Sequence, residues 1–525
     1  MLKRCLTSAA ALAMTTGMAA ADYALTILHT NDFHARFEPI SRFDSGCSEE
    51  SNAEGKCYGG SARLKSAVDA ARAQYENTIL VDGGDQFQGT LFYTYYKGKL
   101  AAEMMNTLGY DGMTVGNHEF DDGPEVLRGF MDAVSFPVLM SNADVSAEPA
   151  LAGVLKKSTV IEKGGEKIGM IGLTPENTDE LSSPGDNITF TRAVDAVQAE
   201  VDRLTAEGIN KIIVLSHSGY ATDKMVAENT TGVDVIVGGH TNTYLSNVSD
   251  RAEGPYPTVV GDTQIVHAYA YGKFLGQLNV VFDDDGKVVS AMGEPLIMDR
   301  FIAENAGVKA RIAEAAVPLD EIRNKVVASA AEMIDGERAN CRTKECAMGN
   351  LVADAMLDRV KDQGIQIALA NGGGIRASID AGDVTMGEVY TVLPFQNTLS
   401  TFFITGETLK AALENAVAQY DDPDKDGRFA QVSGMKFTID PAQEYGARIG
   451  DMMVMMDGAW TEIDMTKTYG IVSNNFVRNG GDGYAMFRDA MDAYDFGPDL
   501  AEVAADYIAA NAPYQPYTDG RITIK

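Results

Sequence analysis

Four of the six histidines in this 525-residue chain sit in short polar motifs at the ends of apolar runs. The motifs are Asp32-Phe33-His34, Gly84-Asp85, Gly116-Asn117-His118-Glu119-Phe120-Asp121, Ser216-His217 and Gly239-His240-Thr241-Asn242. Carboxylate, imidazole and amide oxygens gathered in this way suit a pair of divalent ions acting on a phosphoester. The donor set fits zinc or manganese and excludes neither cobalt nor iron, because affinity alone rarely selects a metal. Two ions roughly 3.5 to 4 Å apart need a bridging carboxylate, and Asp85 is the candidate. A lone histidine after a strand is usually structural, so the weight rests on the set. His29 and His267 are read as structural, His29 because alternation turns it away from Asp32 and His34.

The elements that must position these groups are apolar runs. Leu25 to Leu28 leads to Asp32, Thr78 to Val81 to Asp85, Gly112 to Val115 to Asn117, Lys211 to Leu215 to His217, and Val233 to Val237 to His240. Read as strands, they bring five ends to one rim, beyond the carboxyl ends where α/β sheets hold ligands. Asp32 and His34, two apart on an extended segment, then share a face. Helices are predicted over Gly60 to Tyr75, Lys99 to Leu108, Pro124 to Val134 and Arg192 to Glu207. The alternation predicts a layered α/β domain over 22–300, closing with a hairpin around Asp283 to Gly286. Residues 301–335 are charged, helix-periodic and interrupted at Pro318, which reads as an interdomain linker. A second α/β domain is expected over 336–525, with a helix at Ala347 to Val360 and a strand at Ile365 to Ala370.

Hydrophobic content of 45% and charged content of 22% are ordinary globular values, and the length allows two or more cores. A formal net charge of -32 argues against a nucleic-acid polymer as partner, yet allows a small anion where metals and arginines reverse the local field. Residues 1–21 read as a cleaved export signal: Lys3-Arg4, an apolar stretch, then Ala19-Ala20-Ala21. Cys5 lies at its basic end, which does not suit a lipoprotein anchor. No later run of about 20 apolar residues predicts a membrane span. The expected location is periplasmic or secreted. Four cysteines remain after the signal, and their spacing pairs Cys47 with Cys57 and Cys341 with Cys346 among three connectivities. Asp422 to Gly427 imitates the start of a calcium loop, but Ser433 stands where that loop needs glutamate, so an acidic turn is expected.

The second half carries features suited to an anionic, aromatic ligand. In Asn371-Gly372-Gly373-Gly374-Ile375-Arg376, bare backbone and a guanidinium can approach a ligand closely. Arg342, between Cys341 and Cys346, offers another cation. Phe395, after Pro394, and Phe476, before Asn479-Gly480-Gly481-Asp482-Gly483, can wall a flat base.

These motifs together, with Leu28 to His34 and Gly83 to Gly89, resemble the 5'-nucleotidase family of exported metallophosphoesterases, closest to its ecto-5'-nucleotidase branch, over essentially the whole mature chain. The resemblance implies a calcineurin-like metallophosphoesterase domain followed by a substrate-binding domain, with a rotation between them that brings substrate to the metals. It implies one metal on Asp32, His34, Asp85 and Asn242, and the other on Asp85, Asn117, His217 and His240. It makes His118 and Asp121 the catalytic pair. It assigns Arg342 and Arg376 to phosphate and ribose, Asn371 to the nucleoside, Phe395 and Phe476 to stacking, and Asp482 to ribose hydroxyls. The implied reaction is metal-dependent hydrolysis of the 5'-phosphomonoester of a nucleotide such as AMP, with zinc the expected metal and manganese or cobalt as alternatives. His267 stands where relatives commonly carry glutamine and is placed to reach behind the metal ligands. The sequence closes on Ile522-Thr523-Ile524-Lys525 without an apolar tail, so no lipid anchor is expected. Nothing in it sets an oligomeric state. Competing readings are a 2',3'-cyclic-nucleotide phosphodiesterase with 3'-nucleotidase activity, a UDP-sugar or dinucleotide pyrophosphatase, a thiosulfate-carrier hydrolase, and a binding protein or adhesin without chemistry. The phenylalanine pair favours the 5'-nucleotidase over cyclic-nucleotide relatives, which tend to stack with tyrosines.

Overall fold

The computed structural model describes residues 22–525 except 43, 45–46, 396, 421–426, 457 and 495–496. The expected export signal and most of the acidic turn at 422–427 therefore lie outside the described residues. The first half is built from two sheets packed face to face, with helices outside each. One sheet runs in the order Val288–Gly293, Phe274–Phe282, Tyr23–Thr30, Thr78–Asp82, Gly112–Thr114, Val138–Leu139. Its last four strands are parallel, with Thr30 beside Asp82 and Asp82 beside Met113. The other runs Thr258–Val260, Thr263–Val266, Val235–Val237, Ile212–Ser216, Glu166–Leu173, Ser158–Lys163, parallel through its middle. Leu25, Ile27, Ile79 and Val81 of the first sheet interlock with Met170, Ile213, Leu215, Val235 and Val237 of the second in one buried cluster. Strands covered on both faces are apolar almost throughout, which is why Thr78–Asp82 and Ile212–Ser216 are buried at every position.

This corrects the expectation of a single rim. The strand ends that carry Asp32, Asp85 and Asn117 belong to one sheet, and those that carry His217 and His240 belong to the other. Stacking the two sheets is what brings the five motifs together. The four predicted helices form at Ser61–Gln74, Gly98–Leu108, Pro124–Ala133 and Ala193–Ala206.

Within 301–335, the Ala306–Ala316 helix, capped by the Asn305 side chain, buries Val308, Ile312 and Ala315 against the helical layer of the first half. Pro318 falls in a short 3-10 turn. Val326–Ala330 is then a strand paired with Gly382–Thr385 of the second half. The second half holds a five-stranded sheet in the order Ala430–Ser433, Ile367–Asn371, Thr468–Asn474, Leu399–Thr405, Met491–Tyr494, and a four-stranded one ending at Ile522–Ile524. The helices Ala347–Arg359 and Leu500–Ala510 contribute to one of its cores and Gly406–Ala416 to the other. Disulfides join Cys47 to Cys57 and Cys341 to Cys346. Among the described residues, no helix is long and apolar enough to cross a membrane.

Candidate active site

The loops that follow Tyr23–Thr30 and Thr78–Asp82 run side by side. Asp32 N–H donates to the Gly84 carbonyl (2.9 Å), His34 N–H to Asp85 (3.0 Å) and Ala35 N–H to Gln86 (3.1 Å). Asp32 and His34 do come together, though not on an extended segment: both have positive φ, 49° and 51°. Asp85, His240, Asn242 and Asp482 share this rare conformation. Left-handed backbone at six predicted site residues is strain held by the surrounding structure, and such strain collects at functional sites. Close approach does the rest. A Cβ on Gly116 would fall 2.2 Å from Asp85 Oδ1, so glycine is what lets the Asn117-His118 turn reach that carboxylate.

Asp85 is the hub. Its Oδ2 lies 2.9 Å from His217 Nε2, 3.8 Å from His34 Nε2 and 4.0 Å from His118 Nε2, while Oδ1 accepts the His118 N–H (2.9 Å). His217 Nε2 is also 3.9 Å from Asp32 Oδ1. Two imidazoles are oriented from behind by backbone carbonyls: His34 Nδ1 bonds Phe87 O (2.9 Å) and His217 Nδ1 bonds Gly83 O (2.6 Å). That leaves each Nε2 facing the carboxylates. His240 Nδ1 lies 3.0 Å from Asn117 Oδ1, and the His240 N–H donates to Asp32 Oδ2 (2.9 Å).

Among the described residues, two groups of side chains offer donor atoms close enough to share an ion: Asp32, His34 and Asp85, and Asp85, His217 and His240. The buried Asn242 Oδ1 has no hydrogen-bond partner among the described residues, and the acceptors beside His217 Nε2 are the Asp85 and Asp32 carboxylates. Buried polar atoms are ordinarily satisfied, so an open amide oxygen, with a nitrogen set between two carboxylates, fits a centre that takes cations. The electrostatics agree. Burial opposes charge on Asp85, but His217, His118 and His34 hold its carboxyl well below the usual range. Burial also works against charge on His217, yet Asp85 and Asp32 push it up to about 10. Burial and the Arg376 cation hold His34 well below the ordinary imidazole value, and burial, His217 and Arg338 do the same to His240.

His118 stands apart in its bonding. Its Nδ1 is 2.7 Å from Asp121 Oδ2. Burial disfavours the imidazolium, but Asp121 and Asp85 outweigh it and raise the pKa. The second half meets this group directly: Arg376 Nη1 lies 3.3 Å from His118 Nε2, and Nη2 lies 3.0 Å from His34 Nε2. The Phe395 ring stacks on His118 at 5.4 Å between centroids and lies beneath Arg376.

One cavity of about 1120 Å³ spans both halves. Asp32, Asp85, Asn117, His118, Asp121 and His240 line one wall, and Arg342, Asn371, Arg376, Phe395, Phe476 and Asp482 line the other. His34 and His217 are buried close behind the first wall. Asn371 donates to Asp482 Oδ2 (2.6 Å) and is itself held by Asn474 (2.9 Å). Phe476 packs over Gly481, where any Cβ would strike its ring. His29 and His267 stay outside the cavity lining. His29 bonds Tyr256 (2.8 Å), and His267 bonds Asp223 (2.7 Å), which accepts from Ser216 next to His217.

Several contributors escaped the sequence reading. Fully buried Glu119 accepts four backbone N–H groups, from Gln86 (2.8 Å), Phe87 (3.2 Å), Asp85 (3.0 Å) and Gly116 (2.7 Å), and so clamps the loop that presents Asp85. A carboxylate that bonds only main chain leaves no spacing signature. Asn31 donates to Asp32 Oδ2 (2.8 Å). Arg338 bonds the His240 carbonyl (3.1 Å) and lines the cavity. Its spacing of four from Arg342 was the available signal.

A two-sheet sandwich with carboxylates and imidazoles converging on one carboxylate, facing a cavity shared with an arginine-bearing second domain, defines a two-domain metallophosphoesterase. Residues 25–244 match the family described as calcineurin-like phosphoesterase, and 326–489 match 5'-nucleotidase, C-terminal domain. The 5'-nucleotidase of Rattus norvegicus is 37% identical, covering 96% of this chain and 91% of its own length. The snake venom 5'-nucleotidase of Naja atra is 38% identical, covering 95% and 98%. The crystal structure of a 5'-nucleotidase precursor from Thermus thermophilus superposes with a TM-score of 0.91 at 39% identity, covering 96% of this chain and 99% of that one. The chain belongs to the 5'-nucleotidase family.

Proposed function

We propose that this protein hydrolyses the 5'-phosphomonoester of nucleotides such as AMP, giving nucleoside and phosphate. The observation that carries the reading is the shared cavity, in which Arg376 and Phe395 of the second half meet His34 and His118 of the first. In this reading Asp32, His34, Asp85 and Asn242 hold one divalent ion, and Asp85, Asn117, His217 and His240 hold the other. Zinc suits the donors best, and manganese or cobalt can replace it. When bound, the ions supply Lewis acidity toward phosphoryl oxygens and make water a stronger acid.

The chain's own groups do the remaining work. Arg342 and Arg376 offset the phosphate charge with planar, fixed donors, against an overall charge of -32. His118, oriented through Nδ1 by Asp121, which also favours its protonated form, is placed to donate from Nε2 to the transferring phosphoryl group or the leaving ribose oxygen. Asn371 and Asp482, already bonded to one another, address the nucleoside and its ribose hydroxyls. Phe395 and Phe476 wall the base. We also place the protein outside the cytoplasm, after removal of residues 1–21, a location that both disulfides suit.

The test is a comparison of AMP with ribose 5-phosphate, 3'-AMP, 2',3'-cyclic AMP and UDP-glucose. The reading expects kcat/KM highest for AMP and much lower for ribose 5-phosphate, which lacks the base. Preference for the cyclic or sugar nucleotide would replace the proposed substrate.

A further inference from the structure

Asp121 uses both of its oxygens. Oδ2 faces His118 Nδ1 at 2.7 Å, and Oδ1 accepts a hydrogen bond from Ser182 Oγ at 2.6 Å. Asp121 and Ser182 are 61 residues apart, and Ser182 lies outside every motif named above. Ser182 follows the short Thr178–Leu181 helix in the loop after the Glu166–Leu173 strand of the second sheet. That loop is tied down locally. Buried Thr178 bonds the Pro175 carbonyl through its hydroxyl (2.8 Å), Ser182 N–H donates to Thr178 O (3.0 Å), and Glu176 accepts the Ala193 N–H (2.7 Å). Its helix also packs against the Gly481–Gly483 turn of the second half. Asp121, Ser182 and Asp482 all border the cavity.

A carboxylate bonded through one oxygen is free to turn about its χ2 torsion, and the imidazole it orients turns with it. A second bond, from a separately anchored segment to the other oxygen, fixes the carboxylate plane. We propose that Ser182 is a positioning residue for the phosphomonoester reaction: its hydroxyl locks Asp121, and through Asp121 sets the direction of His118 Nε2. The inference rests on the phosphomonoesterase reading above. Ser182 needs no contact with substrate, so its loss acts on turnover and leaves nucleotide binding and metal content unchanged.

The experiment uses the mature chain with zinc and measures kcat and KM for AMP and for p-nitrophenyl phosphate. Variants are Ser182→Ala, Ser182→Thr, Ser182→Val, Asp121→Asn and the double variant S182A/D121N. The expectation for Ser182→Ala is kcat lower by about tenfold, the scale of one lost hydrogen bond to a charged group. KM should stay within about twofold, with bound zinc equal to the parent's. Ser182→Thr, which keeps the hydroxyl, should recover most of kcat, whereas Ser182→Val, of nearly the same shape, should not. Adding Ser182→Ala to Asp121→Asn should cost little more than Asp121→Asn alone. Equal kcat for the Thr and Val variants, or a full further tenfold loss in the double variant, would overturn the proposal. A parent active on p-nitrophenyl phosphate but not on AMP would refute the nucleotide reading while leaving Ser182 measurable on the synthetic ester.

Discussion

Replacing Glu119 with glutamine tests how the site is built. Glu119 is fully buried and its oxygens accept two backbone N–H groups each: Oε1 from Gln86 and Phe87, Oε2 from Asp85 and Gly116. Glutamine keeps one oxygen and turns the other into an NH2 group facing two N–H donors, so two bonds to a charged acceptor are lost. Burial, and then Asp85, push the Glu119 carboxyl up to about 7, so the charged-acceptor scale of about 1.5 to 3 kcal/mol each applies above that pH, where the loss is about 3 to 6 kcal/mol. That is a large part of the ~5 to 15 kcal/mol that ordinarily holds a domain together. The damage is local as well, because the freed segment carries Asp85 and the Phe87 carbonyl that orients His34. Urea unfolding, bound zinc and AMP turnover measured together check it. The expected variant has an earlier unfolding midpoint, less zinc and weaker turnover. Parent-like stability and zinc content in Glu119→Gln would refute the idea that this carboxylate holds the Asp85 loop.

Other outcomes separate the roles of neighbouring groups. His118→Ala should lower kcat by about 10² or more with metal content nearly intact, since general-acid groups contribute on that scale; loss of both metals would place His118 among the ligands. Asp85→Ala should release at least one metal and abolish turnover, and retained metal with activity would exclude the bridging role. Asp82 offers a pH test: burial, and then Glu119's charge, push its carboxyl up to about 8, against hydrogen bonds from Thr30, Gly84 and Gln86. The folded protein therefore keeps a proton that the unfolded chain releases near pH 4. The stability this adds is full below about pH 4, falls by at most ~1.4 kcal/mol per pH unit, and is gone above about pH 8. Asp82→Asn should flatten the fall of Tm between pH 4 and 8; an unchanged slope would assign it elsewhere.

The ligand motifs were legible because each joins an apolar run to a short cluster of donor types, and such runs form strands wherever both faces are covered. The pairing of sheets was not. Alternating strand and helix reads the same whether the strands enter one sheet or two, and only the packing of Ile79 and Val81 against Ile213 and Leu215 separates the cases. Period-two reasoning brought Asp32 and His34 together for the wrong cause, since their backbones are left-handed and the contact is set by the neighbouring Gly84 to Gln86 loop. His29, still within the strand, bonds Tyr256 outside the cavity lining. Glu119 lies within the Gly116 to Asp121 motif, but its partners are all main chain, so no residue pattern marks its role. Ser182 shares no motif with Asp121, so only the fold joins them.

The central claim is that two divalent ions, held around Asp85, hydrolyse a nucleotide 5'-phosphate in the cavity between the two halves. The most direct measurement is phosphate release from AMP by the mature chain, paired with metal analysis of the same sample, before EDTA, after EDTA and after zinc is restored. The account predicts close to two metal ions per chain with rapid release, none of either after EDTA, and recovery of both together. Undiminished release from AMP by metal-free protein would contradict it.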